Sequence, residues 1–175
     1  MHPILIGYRC CGKTSIGKRL AKRLGIEFLD TDEMVQAREK KSIDELVAQK
    51  GWAYFRALES RALLDAVSAP RAVIATGGGM VLAPENRKIM AEKGYLIWLT
   101  ADVKTILNRI NADEASHGLR PRFDPRNSLE VETREQLALR DPLYRQLANL
   151  TIDTGVLSPE GILDKIMEAL DHGRL

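Results

Sequence analysis

One glycine-rich motif constrains the fold of this chain more than any other feature. Residues 7–14 read GYRCCGKT and fit the pattern G-x-x-x-x-G-K-[ST]. The apolar run 3–6 before the motif predicts a β-strand, and the apolar stripe along 13–24 predicts a helix. A strand, this loop and a helix in that order form the context in which the motif binds phosphate groups.

The residue types of the motif suit a nucleoside triphosphate. Gly7 and Gly12 permit a backbone path that turns successive N–H groups toward phosphate oxygens, and the following helix adds positive potential at its N-terminus. Lys13 supplies a cation for the β- and γ-phosphates, and the Thr14 hydroxyl is a hard oxygen ligand for Mg²⁺. The motif therefore predicts an ATP site with bound Mg²⁺.

The rest of the chain predicts an α/β fold built on a parallel sheet with helices on both faces. Short apolar runs at 3–6, 26–29, 72–75, 95–99 and 150–152 alternate with helical patterns. Among the helices, 60–67 continues a long amphipathic stretch, and 159–170 begins with a proline after a Ser158 cap. A length of 175 residues predicts one domain, 1–175.

Charge and cysteine content exclude several classes of partner and compartment. The 26 basic and 24 acidic residues give a net charge of +2, so we expect neither nucleic acid nor a membrane as a partner. Cys10 and Cys11, the only cysteines, are adjacent and poorly placed for a disulfide, which is typical of a reducing compartment. The N-terminal apolar run is too short for a signal segment, and we expect a cytoplasmic protein.

Residues 111–127 lack apolar periodicity and contain Gly118, two prolines and three arginines. Loops of this length inside a compact domain are usually functional, so we predict a mobile lid there. The alternative is a surface excursion without a role.

Two carboxylates end the second predicted strand. Asp30 and Asp32 are two residues apart, and on a strand they would project to the same side at the ligand-binding edge of the sheet. Asp30 then fits a Mg²⁺ role, and Asp32 fits a carboxylate that orients or deprotonates an acceptor hydroxyl. The alternative for Asp32 is a helix cap before residues 33–39.

Two further motifs are weaker when taken alone. Arg56 and Glu59 have the helical i,i+3 spacing, which by itself indicates an ordinary surface pair. Thr76 is followed by three glycines, Gly77 to Gly79, which indicates either close approach of a ligand or a tight turn.

Together these motifs, with Leu119-Arg-Pro121 and Arg140-Asp-Pro-Leu-Tyr144, resemble shikimate kinase along essentially the whole chain. The resemblance implies a three-layer α/β/α P-loop kinase fold with a five-stranded parallel sheet, a lid near 111–127 and a helical substrate-binding region near 31–60. It implies transfer of the γ-phosphate of ATP to the 3-hydroxyl of shikimate, in the pathway to aromatic amino acids. The family is usually monomeric.

The resemblance also assigns roles to residues. Shikimate would contact Asp32, Arg56, Arg140 and the glycines Gly77, Gly78 and Gly79, with the two arginines on its carboxylate. Lys13, Asp32 and the lid arginine Arg120 would be catalytic, and Thr14 and Asp30 would hold Mg²⁺. The nucleotide would contact Gly7, Cys10, Cys11, Gly12, Lys13, Thr14, Ser15, Arg109 and Arg120. Arg109 would pack on adenine, although it could equally be a solvated helix residue.

The chain departs from the family pattern at two places. Cys10 and Cys11 replace small residues, and a thiol near a helix N-terminus tends toward a lowered pKa, so we expect a maleimide to inactivate the enzyme and ATP to protect it. Arg122 and Phe123 follow Pro121 in place of aliphatic residues.

Other functions remain open from sequence. Gluconate kinases and nucleoside monophosphate kinases share the loop and lid but give no reason for the set of Arg56, the glycine run and Arg140. A GTPase-like switch should carry an Asn-Lys-x-Asp motif, which the sequence lacks. A regulatory relative without catalysis is the remaining alternative.

Overall fold

The computed structural model describes residues 1–112 and 127–172. The strands are β1 His2–Ile6, β2 Glu27–Asp30, β3 Ala72–Ala75, β4 Gly94–Thr100 and β5 Leu150–Asp153. The helices are α1 Lys13–Leu24, α2 Thr31–Glu39, α3 Ile43–Ser68, α4 Pro84–Lys93, α5 Val103–Ala112, α6 Leu129–Leu147 and α7 Pro159–His172, with a 3₁₀ turn at Met80–Leu82.

The five strands form one parallel sheet in the order β2-β3-β1-β4-β5. This confirms the predicted five-stranded parallel sheet. β1 lies between β3 and β4. After β1 the chain crosses to β2 on one side of the sheet, and after β4 it crosses to β5 on the other side, so the direction of crossing changes between β1 and β4. Ligands of open α/β sheets bind at such a switch point.

Alternate strand residues pack on opposite faces of the sheet, which produces two core layers. Leu5 of β1 packs on one face, among residues of α1, α5 and α7. Ile4 and Ile6 pack on the other face, among residues of α3, α4 and α6. The predicted three layers are therefore present. A smaller apolar cluster joins α2 to α3 through Val35, Ile43, Leu46, Phe55 and Ala62.

Local signals set most of the element boundaries. α1 has the predicted bounds and ends at Gly25, whose φ is 66°. The next amide, of Ile26, donates to the carbonyl of Ala21 at 3.1 Å, so β2 begins one residue later than predicted. Ser158 caps α7 as predicted, because its hydroxyl accepts from the Gly161 amide at 3.1 Å.

Gly51 breaks α3, with a φ of 79° inside the helical span. The break separates a segment capped by Ser42 and Glu45 from the longer segment that carries Arg56 and Glu59. Within residues 1–112 and 127–172, no helix is long and apolar enough to cross a membrane.

Candidate active site

The phosphate loop joins β1 to α1 through residues that need unusual backbone angles. Gly7, Cys10 and Gly12 all have positive φ, at 140°, 59° and 90°. A side chain at Gly7 would also overlap the carbonyl oxygen of Leu99. Glycine is therefore required at position 7 for both conformation and space. Ser15 follows in the first turn of α1 and is exposed.

The Lys13 side chain folds back over this loop. Its ammonium group donates to the carbonyls of Gly7 at 2.8 Å and Tyr8 at 2.7 Å, and the residue is buried. The charge is thus held inside the curve of the loop, where the motif predicts phosphate oxygens.

Asp30 and Asp32 serve different parts of the site, contrary to the strand-based expectation. Asp30 is the last residue of β2, and its carboxylate accepts from the Thr14 hydroxyl at 2.8 Å and from the Asp32 amide at 3.0 Å. Asp30, not Asp32, is therefore the N-cap of α2. Asp32 belongs to the first turn of α2 and lines a pocket to which neither Asp30 nor Thr14 contributes.

This pocket, which we call the acceptor pocket, has a volume of about 430 Å³, including space open to solvent. Three predicted acceptor-binding side chains from three different helices line it: Asp32 of α2, Arg56 of α3 and Arg140 of α6. The rest of the lining consists of Tyr8, Arg9, Ile43, Trp52, Phe55, Glu59, Gly78 and Gly79. Tyr8 and Arg9 belong to the phosphate loop, so the pocket adjoins the predicted nucleotide site.

Arg56 and Glu59 form a hydrogen-bonded ion pair at one wall of the acceptor pocket. The Glu59 side chain is 2% exposed and that of Arg56 is 28% exposed, so this is not the ordinary surface pair that the spacing alone indicates. Burial raises the pKa of Glu59 to about 7, against the opposing effect of Arg56. The guanidinium also lies 5.2 Å from the centre of the Trp52 ring, so its position is fixed from two sides.

Arg140 is a second cation that lines the acceptor pocket. It is buried, its guanidinium lies 5.5 Å from the centre of the Tyr8 ring, and it donates to Gln136 one turn earlier in α6. Burial lowers the pKa of Arg140, although a guanidinium remains charged in proteins. The structure thus places two restrained cations at one pocket.

The glycine run after β3 lies against these charged groups. The Gly77 amide donates to the Thr31 hydroxyl at 3.0 Å, and a Cβ at Gly77 would lie 2.6 Å from Asp32 Oδ1 and overlap Glu59. A Cβ at Gly79 would overlap the Arg56 guanidinium. Close approach of the protein's own charged side chains therefore accounts for glycine at these two positions, whereas the sequence indicated either a ligand or a tight turn.

Arg109 is not the solvated helix residue of the alternative interpretation. Its guanidinium donates to the carbonyl of Cys10 at 3.2 Å and to the hydroxyl and carbonyl of Thr154 at 2.9 and 2.7 Å. It therefore ties α5 to the phosphate loop and to the turn after β5.

The expectation of a lowered thiol pKa is wrong for Cys11. Cys11 is 2% exposed, and burial raises its pKa to about 11, more than Lys13 and Arg109 lower it. Cys10 is partly exposed.

One pair near the site has no counterpart in the sequence analysis. Arg9 of the phosphate loop donates to Glu132 of α6 at 3.0 Å, with side-chain exposures of 13% and 1%. The two residues are 123 positions apart, and no local pattern pairs them. Arg120 and most of the predicted lid lie outside the described residues.

This chain is similar to known proteins of one family. A family model for shikimate kinase matches residues 9–171. The shikimate kinase of Syntrophus aciditrophicus is 43% identical over 178 residues, covering 98% of this chain and 91% of that protein. Shikimate kinase 2 of Escherichia fergusonii is 44% identical over 168 residues, covering 96% and 91%.

A solved structure is also similar. The shikimate kinase from Acinetobacter baumannii, in complex with shikimate, superposes with a TM-score of 0.90 at 32% identity, covering 99% of this chain and 94% of that one. With a family match over most of its length and relatives of this identity, the chain belongs to the shikimate kinase family.

Proposed function

We propose that this chain transfers the γ-phosphate of ATP to the 3-hydroxyl of shikimate, giving shikimate 3-phosphate and ADP. Its family is that of an ATP-dependent kinase acting on an alcohol group. The observation that carries the proposal is the convergence of Asp32, Arg56 and Arg140 on one pocket beside the phosphate loop.

The charge around the acceptor pocket supports a small anionic acceptor. Arg9, Arg56 and Arg140 line it together with the two acids Asp32 and Glu59, one of which has a pKa near neutrality. The balance is therefore cationic. A carboxylate held by Arg56 and Arg140 would form charge-assisted hydrogen bonds, each of about 1.5–3 kcal/mol.

Asp32 is the group in this pocket suited to the acceptor hydroxyl. It is buried, it lies against Gly77 in the glycine run after β3, and it lines the same pocket as Tyr8 and Arg9 of the phosphate loop. In this role its carboxylate orients the hydroxyl and accepts its proton, while Gly77, Gly78 and Gly79 leave room for the ring of the acceptor.

The nucleotide side would use the phosphate loop and its neighbours. Lys13 would exchange the carbonyls of Gly7 and Tyr8 for β- and γ-phosphate oxygens, with Gly12, Cys10, Cys11 and Ser15 lining the phosphates through their backbone. Arg109 would lie beside the base, and Arg120 would reach the transferred phosphate.

Thr14 and Asp30 fit a Mg²⁺ ion. They bring one hydroxyl and one carboxylate oxygen within 2.8 Å of each other, and Mg²⁺ prefers such hard oxygens together with water and phosphate ligands. When bound, the ion would neutralise charge on the β- and γ-phosphates. The Asp30 carboxylate would also keep the Thr14 hydroxyl oriented, because the two groups are already hydrogen-bonded.

Three organisational features belong to the same proposal. The chain acts as one kinase domain in which 31–60 binds the acceptor and 111–127 closes over it. It works as a monomer in the cytoplasm, where cysteines outside a disulfide, such as Cys10 and Cys11, are stable.

Asp32→Asn tests the role of Asp32. We expect turnover with shikimate to fall about 10²- to 10⁴-fold, because the amide cannot accept the proton, while the melting temperature changes little. Asp164→Asn is the matched control, because Asp164 pairs with Arg23 on the surface of α7. Turnover within a few-fold of wild type in Asp32→Asn would contradict the role.

Arg56→Ala and Arg140→Ala test the acceptor clamp. Each should weaken shikimate binding by about 1.5–3 kcal/mol and leave ATP binding nearly intact, as measured by calorimetry with each ligand. An equal loss of both ligands would argue against the assignment.

A further inference from the structure

One face of α6 carries four side chains spaced four residues apart. Glu132, Gln136, Arg140 and Tyr144 therefore lie one above another along the helix. Glu132, Arg140 and Tyr144 are buried. We call this set the α6 stripe.

Members of the α6 stripe contact both loops that border the acceptor pocket. The Tyr144 hydroxyl donates to the Gly78 carbonyl at 2.5 Å, in the glycine run after β3. Arg140 packs over the Tyr8 ring, and Gln136 accepts a hydrogen bond from Arg140. Glu132 accepts from Arg9, the residue that follows Tyr8 in the phosphate loop.

The Arg9–Glu132 pair differs from the other long-range ion pairs that the described residues form. Lys18–Glu33, Arg19–Glu160, Arg23–Asp164 and Arg38–Asp65 all have side chains at least 31% exposed. Glu132 is 1% exposed and Arg9 13% exposed, at an N–O distance of 3.0 Å. Water and salt screen a buried pair much less than an exposed pair, so the attraction between Arg9 and Glu132 is stronger than in the exposed pairs.

The two partners of this pair differ in their position relative to the acceptor pocket. Among the described residues, Arg9 lines the acceptor pocket and Glu132 does not. Its hydrogen bond to Arg9 connects Glu132 to that pocket.

We propose that Glu132 is a positioning residue for phosphoryl transfer, and this inference rests on the proposed function. By binding Arg9, Glu132 fixes the phosphate loop against α6, the helix that supplies Arg140 to the acceptor. The donor phosphate and the acceptor carboxylate are thereby held by two elements that Glu132 locks together. A displacement of about 1 Å between reacting groups can lower the rate on the order of a hundredfold.

Glu132→Gln is the first test, measured as kcat and both KM values well below the melting temperature. We expect kcat to fall about tenfold to a hundredfold, with smaller changes in the KM values for ATP and shikimate. Glu160→Gln is the control, because Glu160 pairs with Arg19 at 2.9 Å on the surface, and its kcat should equal that of wild type. A wild-type kcat in Glu132→Gln would overturn the inference.

A second variant separates positioning from stability. Replacing a buried ion pair by apolar residues of similar size often restores stability, so Arg9→Met/Glu132→Leu should melt at or above the temperature of either single variant. Its kcat should nevertheless stay as low as that of Arg9→Met alone. Recovery of kcat together with the melting temperature would assign the pair to stability only and contradict the proposal.

The double variant Arg9→Met/Glu132→Gln completes the test. If Glu132 acts through Arg9, the second change adds nothing to kcat once Arg9 is gone. A further loss of kcat in the double variant would contradict this route. Absence of ADP release from wild-type protein with shikimate would instead refute the proposed function itself, so the two failures are distinguishable.

Discussion

Alanine at position 79 should displace Arg56 from the acceptor pocket while the backbone stays in place. Gly79 has a φ of −91°, an ordinary angle for any residue, so the substitution causes no backbone strain. The new methyl group would overlap the Arg56 guanidinium and would lie 2.5 Å from Nη2. Because a guanidinium is the end of a flexible side chain, we expect Arg56 to move and the fold to persist.

The size of the effect follows from the contacts that Arg56 would lose. A charged hydrogen bond to the acceptor carboxylate contributes about 1.5–3 kcal/mol, which corresponds to roughly a 10- to 150-fold increase in the KM for shikimate. The KM for ATP should change little, because Arg56 lines the acceptor pocket and not the phosphate loop. A coupled assay of ADP release measures both constants.

Two comparisons isolate this mechanism. Gly161→Ala in α7 is the control, since its methyl group would have the Ser158 hydroxyl at 3.4 Å as its nearest neighbour. In an Arg56→Ala background, Gly79→Ala should add almost no further loss, because the displaced group is already absent. Full additivity of the two changes, or an unchanged KM for shikimate in Gly79→Ala alone, would refute the reasoning.

Two further predictions concern titratable groups near the site. The pKa of Glu59 rises from 4.5 to about 7 on folding, so its contribution to stability is complete below pH 4.5 and is lost as the pH rises through 7. As the pH rises through this range, the melting temperature of Glu59→Gln should therefore fall less than that of the wild type. Parallel plots of melting temperature against pH for the two proteins would contradict the raised pKa of Glu59. At pH 8, a maleimide should label Cys10 and spare the buried Cys11, with ATP slowing the reaction. Peptide mass spectrometry that finds Cys11 modified in the folded protein would contradict the preference for Cys10.

Local patterns in the sequence account for most of the fold. All five strands lie where short apolar runs predict them, and α1 has the predicted bounds. These elements are predictable because their signals lie within a few residues, as the glycine at the end of α1 and the serine before α7 illustrate. The parallel order of the strands follows from the same alternation of strands and helices.

The different roles of Asp30 and Asp32 could not be predicted, because they depend on the residue at which β2 ends and α2 begins. A shift of the helix start by one or two residues decides which carboxylate caps α2 and which faces the acceptor pocket. The sequence contains the N-terminal signal, but both aspartates fit it equally well.

Contacts between distant residues were likewise beyond sequence reasoning. The Arg9–Glu132 pair joins positions 123 apart, and nothing near either residue identifies its partner. Burial also depends on distant residues and could not be predicted. The position of Cys11 near a helix N-terminus is typical of a reactive thiol, but tertiary packing buries it. The hydrogen bonds of Arg109 to Cys10 and Thr154 join positions 99 and 45 apart, and no local pattern predicts them.

The central claim is that the acceptor pocket selects a cyclic hydroxy acid by its carboxylate and presents its hydroxyl to ATP. The most direct measurement is ADP release from the wild-type protein with Mg²⁺, ATP and each of three acceptors: shikimate, gluconate and a nucleoside monophosphate. We predict stoichiometric ADP formation with shikimate and only background release with the others. Comparable or faster release with either of the other acceptors, or none with shikimate, would contradict the account.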